Sequence, residues 1–210
     1  MRDGLLLPGL WHKQGTYSPQ GFATLRLRVT LPKLQPHYLR IPDVPSAMSL
    51  WVNGELKYQR GVVSHVERTE QPKFGPDVLS LAPASQYDLI LHVSNFHHKE
   101  GGVWHNLLIS DEEHRHALRD QSKLLDAMVF SFLIVVSIYL LVRNVSPHGH
   151  TSHIFFALFV WAIALRSVMV GERIAYDFIS FVSWSNWQRL EHILLFMALP
   201  LFIYFFHRFF

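Results

Sequence analysis

The stretch SNFHHKEGGVWHN, residues 94–106, holds His97, His98 and His105, Asn95, Glu100 and Trp104 within thirteen positions. Three chemistries are open to such a set. Imidazoles and a carboxylate can ligate a metal. A tryptophan face beside Asn95, His97 and His98 can stack a sugar and hydrogen-bond its hydroxyls, an arrangement suited to loops at the end of a rigid scaffold. Alternatively, Gly101 and Gly102 supply positive-φ positions for a tight connection, with Asn95 bonded to local backbone. His97 and His98 are adjacent, so on extended chain they point to opposite faces. A metal would need His105 and Glu100 to converge on one of them, and no metal or cofactor is expected. Trp51 and Asn53, in LWVNGE, join Asn95, His97, His98 and Trp104 as candidate ligand contacts.

A second set of polar residues lies in apolar surroundings. Arg166 falls inside a hydrophobic run, Glu172 and Arg173 follow it, and Glu191 and His192 open the next run. Ionisable groups in such runs are costly and normally paired. Glu172 is six positions beyond Arg166 and does not share its helix face, so Glu191 and His192 are the candidate partners for Arg166. A structural pair that fixes helix packing is expected, with a part in switching as the sharper alternative. His148, His150 and His153 form a third cluster, suited to a solvated loop, a metal or a pH response. No phosphate-binding glycine loop, nucleophile elbow or paired-carboxylate motif is found, so catalysis is not expected of this segment.

The elements that position these residues divide at about Leu124. Residues 1–123 carry most of the charges and most of the eleven prolines, and beyond them Leu, Ile, Val, Phe and Trp dominate. The 210 residues allow one or two domains. A net charge of +3 without a Lys/Arg cluster excludes a nucleic-acid partner, and the lack of cysteine excludes disulfides and thiolate metal sites.

Before about Asp111 the pattern is that of strands. ATLRLRVTLP, residues 23–32, alternates Leu25, Leu27, Val29 and Leu31 against Thr24, Arg26, Arg28 and Thr30, which is a half-buried strand. HYLRIP follows a Pro-bearing turn. Asn53-Gly54 is the favoured pair for a two-residue hairpin. DVLSLA, YDLILHVSNF and VWHNLLIS add further strands. Closely spaced strands with turn residues between them predict an antiparallel β-sandwich or jelly roll over 1–110. From Asp111 the period changes to helical, with Ser110 or Asp111 as cap, and a helical linker over 111–123 is expected to run into the first apolar span.

Three spans suit membrane crossing, which takes about 20 apolar residues: 124–142, 153–170 and 190–206, the last with Pro200 inside. The linker 143–152 is short and makes the first two an antiparallel hairpin. The segment 171–189 carries Tyr176, Phe178, Phe181, Trp184 and Trp187 and is expected to lie along one membrane surface. MRDGLLLPGL is too short in apolar residues for a secretory signal, and FIYFFHRFF stops within an apolar run, so a longer protein is expected. Arg115, Arg119, Lys123, Arg173 and Arg189 fall on one side against Arg143 and Arg208 on the other, and the positive-inside rule puts the larger set, with the N-terminal domain, in the cytoplasm.

LWVNGE, FGPDVLSL and YDLILHVSNFHHKEGGVW together resemble galactose-binding-like jelly rolls, which occur in some glycosidases as non-catalytic modules. IALRSVMVGERI with SWSNWQRLEHILLFMALP resembles the second and third helices of bacterial seven-transmembrane receptors with diverse intracellular signalling modules. The resemblance implies an extracytoplasmic sandwich that senses a small molecule or carbohydrate, three of seven helices in the inner (plasma) membrane, and a cytoplasmic histidine kinase, diguanylate cyclase or nucleotide cyclase beyond this segment. It is compatible with a homodimer. It also opposes the orientation from the charge count. A membrane-anchored carbohydrate-binding accessory module and a transporter or membrane-enzyme subunit are the rival readings.

Overall fold

A computed structural model describes residues 6–44, 46–114, 120–145, 151–179 and 181–209. The chain forms two compact units, Met1–Asp120 and Gln121–Phe210.

The first unit is antiparallel β-structure built around one long ribbon. Strand β2 (Gly21–Ile41) pairs along its length with β5 (Asp77–Asn95), from Gly21 opposite Asn95 to Ile41 opposite Asp77. The register shifts twice between Thr30 and His37. Extra residues in a ladder bend it and raise its twist, so the ribbon contributes to both layers of a sandwich. In one layer β3 (Ala47–Val52) and β4 (Glu55–Arg60) extend from the C-terminal half of β5, and in the other β7 (Leu108–Ser110) extends from the C-terminal half of β2. The order is β4-β3-β5-β2-β7. A small second sheet pairs β1 (Gly9–Leu10) with β6 (Gly102–Val103).

The core lies between the two halves of the ribbon. Leu39, Ile41 and Leu81 from one half pack with Leu89, Leu91 and Val93 from the other and with Met48 and Leu50 of β3. Each such side chain contributes about 1.5–3 kcal/mol on burial, and this cluster holds the bend closed. The β-rich fold agrees with the expectation from the alternating pattern, but the strand count does not. Residues 23–32 and HYLRIP are one strand, because the Pro-bearing stretch makes a bulge and not a turn. DVLSLA and YDLILHVSNF are likewise one strand. VWHNLLIS, in contrast, splits into β6 and β7, which pair with different partners. After β7, residues 111–114 form a turn, and the rest of the expected linker helix up to residue 119 falls outside the described residues.

The second unit contains α1 (Asp120–Val145), α2 (Ser152–Met169), the short α3 (Ile174–Phe178) and α4 (Trp184–Phe209). The three long helices have mean hydropathy 2.4, 1.7 and 1.7 and are long and apolar enough to cross a membrane. Each residue adds about 1.5 Å, so even the 18 residues of α2 approach the hydrocarbon thickness of about 30 Å. Small residues on α2, Ala157 and Ala164, are fully buried and let neighbouring helices come close. Rings join α2 to α4 as Phe155 on Tyr204, Phe156 on Phe205 and Phe159 on Phe202. Ser137 of α1 donates to the Ala157 carbonyl at 3.1 Å. The aromatics of the segment 171–189 divide into buried and exposed ones. Trp184 and Trp187 belong to the first turn of α4, and Trp187 is buried edge-on against Tyr176, with ring centroids 5.2 Å apart. Phe178 and Phe181 remain exposed.

Candidate functional site

The 94–106 loop is organised from beneath by a residue that spacing alone does not single out. Glu70 has a fully buried side chain. Its Oε1 accepts from Ser94 Oγ at 2.6 Å, and its Oε2 accepts from the Phe96 amide and from His97 Nδ1, each at 2.8 Å. The carboxylate fixes the proton of the neutral His97 ring on Nδ1 and makes Nε2 the acceptor nitrogen. Ser94 Oγ in turn accepts from the Ser64 amide at 3.2 Å, tying the 61–71 segment to the end of β5. Glu70 stands outside any strand or helix period, so no pattern in the sequence marks it.

Asn95 is fully buried at the end of β5. Its Nδ2 donates to the carbonyls of Pro19 and His98 at 3.0 and 2.9 Å, and its Oδ1 accepts from the His98 amide at 3.1 Å. Both ends of the amide are occupied in shaping the loop. Of the two glycines only Gly102 uses positive φ, at 133°. Gly101 is needed for another reason: a Cβ there would lie 2.3 Å from both the Pro19 carbonyl and the Trp11 ring. The expectation that both glycines serve a left-handed turn is corrected to one turn position and one close approach.

The three histidines diverge. His97 is held by Glu70. His98 Nδ1 lies 3.2 Å from the Glu100 amide, which donates to it, and its ring tilts over Trp104 with centroids 5.1 Å apart. His105 is exposed. Trp104 is half-buried, and its Nε1 is buried without a hydrogen-bond acceptor among the described residues. Asp111, Glu113 and His114 also come together, on the turn after β7. That turn is accounted for internally, since Asp111 Oδ1 accepts from the His114 amide and lies 2.7 Å from His114 Nδ1.

Trp51 and Asn53 lie elsewhere. Asn53 and Gly54 both take positive φ, 51° and 86°, in the β3–β4 turn. The Asn53 amide donates to the Asp88 carbonyl, and Asn53 Oδ1 accepts from the Asp88 amide, each at 2.9 Å. Asp88 is seven positions before Asn95 on the same strand, which separates the two ends by roughly 23 Å. The ligand candidates thus form two groups, one on the 94–106 loop and one at the β3–β4 hairpin. Beside the hairpin, Arg26 donates to Asp88 from Nε and Nη2, at 2.8 and 2.6 Å, and this hydrogen bonding holds the Asp88 carboxyl below its usual range.

In the helical unit the predicted polar residues are joined in a different pairing. Arg173, at left-handed φ of 52°, donates to the Met169 carbonyl at 3.1 Å and forms an ion pair with Glu191. Glu191 is therefore engaged by Arg173 and not by Arg166. The Glu172 amide donates to Asp126 Oδ2 at 3.3 Å, and Lys123 pairs with Asp177 at 2.9 Å. The α2–α3 turn is bound in this way to α1 and to α4. Arg166 Nε is buried without an acceptor among the described residues, and His192 Nδ1 donates to the Gln188 carbonyl one turn back at 2.8 Å. His153 opens α2, while His148 and His150 lie outside the described residues.

No family model matches the chain, and no curated protein matches it. Over about half of its length the chain is similar to parts of solved glycosidases. A GH2 β-galacturonidase from Eisenbergiella tayi bound to galacturonate aligns with a TM-score of 0.38 and 15% identity over 50% of this chain and 20% of the enzyme. A Faecalibacterium prausnitzii β-glucuronidase gives 0.34 and 20% over 43% and 16%. A putative β-galactosidase from Bacteroides fragilis gives 0.37 and 13% over 50% and 18%. The chain spans about a fifth of the length of these structures, and at these TM-scores the likeness assigns no substrate to it.

Proposed function

We propose that this chain is the ligand-sensing and first transmembrane part of a bacterial signalling receptor. The β-sandwich lies outside the cytoplasm and binds a small molecule, a carbohydrate by preference. The long helices cross the inner membrane, and a cytoplasmic histidine kinase, diguanylate cyclase or nucleotide cyclase elsewhere in the whole protein reads their arrangement. The segment binds and transmits and does no chemistry of its own.

The observation that carries this reading is the bonding of the α2–α3 turn. The chain leaves the β unit and enters α1, whose early turns bear Lys123 and Asp126. These hold Asp177 and the Glu172 amide, while Arg173 holds Glu191 of α4. A displacement at the start of α1 is therefore delivered to every helix of the unit. An accessory module needs one anchor and has no use for such cross-links.

Topology tests the reading. A reporter active only outside the cytoplasm is fused before Leu124, and one active only inside is placed in the 143–152 loop, both behind the native upstream sequence. Activity of both supports the sensor. The inverted pattern, which the Lys/Arg distribution favours, would place the sandwich in the cytoplasm and end the receptor reading.

A further inference from the structure

We propose that the outer face of the β4-β3-β5-β2 layer, centred on Trp51, is a binding platform for a neutral oligosaccharide. The proposal rests on the reading of the sandwich as a ligand-binding unit, and it moves the site from the 94–106 loop to the sheet.

Strand register places the side chains. Val93, Leu91 and Leu89 of β5 face the core, so Ile90 and His92 face outward. Trp51 is opposite Ile90 and Leu56, and Arg26 is opposite Ile90 from the other side. These four make one row, Leu56–Trp51–Ile90–Arg26. Ser49 is opposite His92 and Gln59, and Thr24 is opposite His92, which makes the next row Gln59–Ser49–His92–Thr24. Neighbours within a row are about 4.8 Å apart, and the rows are about 6.7 Å apart. The first row is apolar around an indole as far as Arg26 at its end, with Leu56 45% exposed and Trp51 and Ile90 half-buried. The second consists of hydroxyl, amide and imidazole groups, of which Ser49 is buried, Gln59 and Thr24 are exposed and His92 is half-buried, with Thr24 Oγ1 2.9 Å from His92 Nδ1.

An apolar aromatic strip beside uncharged donors and acceptors matches a pyranose, which offers C–H groups on one face and hydroxyls at its rim. Charge selects further. Asp88 lies 2.6 Å from Arg26 and 3.9 Å from Arg28, and Lys57 pairs with Glu55, so the face keeps an excess of one positive charge. Cations already seated on carboxylates are not offered to a charged ligand, which favours a neutral glycan over an acidic one. The 94–106 loop is less suited, because Asn95 is spent on backbone and His97 on Glu70.

The test is a calorimetric titration of the full chain in lipid nanodiscs, where both membrane sides are open, with maltotetraose, cellotetraose and galactotetraose as probes. The expected result is that one of them binds and that Trp51→Ala weakens it about tenfold. Gln59→Ala, at an exposed position, weakens it as well, Trp51→Phe keeps most of it, and Trp104→Ala leaves it unchanged. Loss with Trp104→Ala but not with Trp51→Ala would place the ligand on the loop and overturn the platform, leaving the receptor reading intact. Binding to none of the three, or a dimer that Trp51→Ala dissolves, would overturn it too. The topology result does not enter this readout, so the two proposals fail separately.

Discussion

Arg173 and Glu191 form an ion pair whose side chains keep only 9% and 14% of their exposure. The arginine reaches its partner from a backbone position that non-glycine residues rarely adopt. Removing Glu191 takes its ion-pair partner from a buried arginine that keeps the Met169 carbonyl, at up to about 3–5 kcal/mol. Glu191→Ala should lower the thermal midpoint of the chain in nanodiscs by a corresponding amount, whereas Arg173→Met combined with Glu191→Leu should recover much of the loss. Equal destabilisation by the single and double variants would show that the pair contributes through shape and not through charge.

Glu70 accepts three hydrogen bonds from a site that no solvent reaches. Glu70→Gln turns part of an acceptor into a donor facing Ser94, Phe96 and His97. The cost of a buried unsatisfied group is about 1–3 kcal/mol, and the Phe96 amide should lose protection in hydrogen exchange while amides in the middle of β5 keep theirs. Uniform loss across β5 would mean that Glu70 supports the whole sandwich and not the loop alone.

Gly101 sits where a methyl group would meet backbone and an indole, whereas a Cβ at Gly54 would meet nothing within 4 Å. Gly101→Ala should cost about 1–3 kcal/mol through overpacking and should shift the fluorescence of Trp11. Gly54→Ala meets only the φ penalty of its turn, at 86°, and should leave Trp11 unaffected. If Gly101→Ala is silent, the loop has room that the close approaches to Pro19 and Trp11 deny.

These residues mark how far the sequence could be read. Alternation in ATLRLRVTLP sets Leu25, Val29 and Leu31 on the more buried side and Arg26 and Arg28 outward, as the burial of β2 shows, whereas Leu27 stays 39% exposed. Asn53-Gly54 announced its hairpin because only a few residue types tolerate two positive φ angles. Length and apolarity alone located the three long helices. What pattern cannot encode is a contact made once across the chain. Glu70 meets His97 through tertiary folding, and nothing in ERTEQP is periodic. Arg173 stands out as an ionisable residue beside an apolar run, but its choice of Glu191 depends on a left-handed turn that sequence spacing does not display. The single ribbon is not legible in the sequence, because bulged and turned strands look alike where prolines interrupt them.

The last test concerns the turn after β7. The hydrogen bond from His114 to Asp111, with their attraction, raises the imidazole above its ordinary pKa and lowers the carboxyl below its own. The raised histidine contributes fully below the ordinary imidazole value of about 6.5, and that contribution fades as pH rises through the raised value. The lowered carboxyl contributes above the ordinary aspartate value of about 3.9 and fades as pH falls through the lowered one. Both groups are exposed, so the effect on stability is small and a titration is the sensitive measurement. The His114 ring resonance, assigned by its disappearance in His114→Gln, should titrate above the ordinary midpoint, and Asp111→Asn should bring it back down. If Asp111→Asn leaves the midpoint where it was, the shift comes from Glu113, whose charge also favours the protonated ring, and the Asp111 contact does not persist in solution.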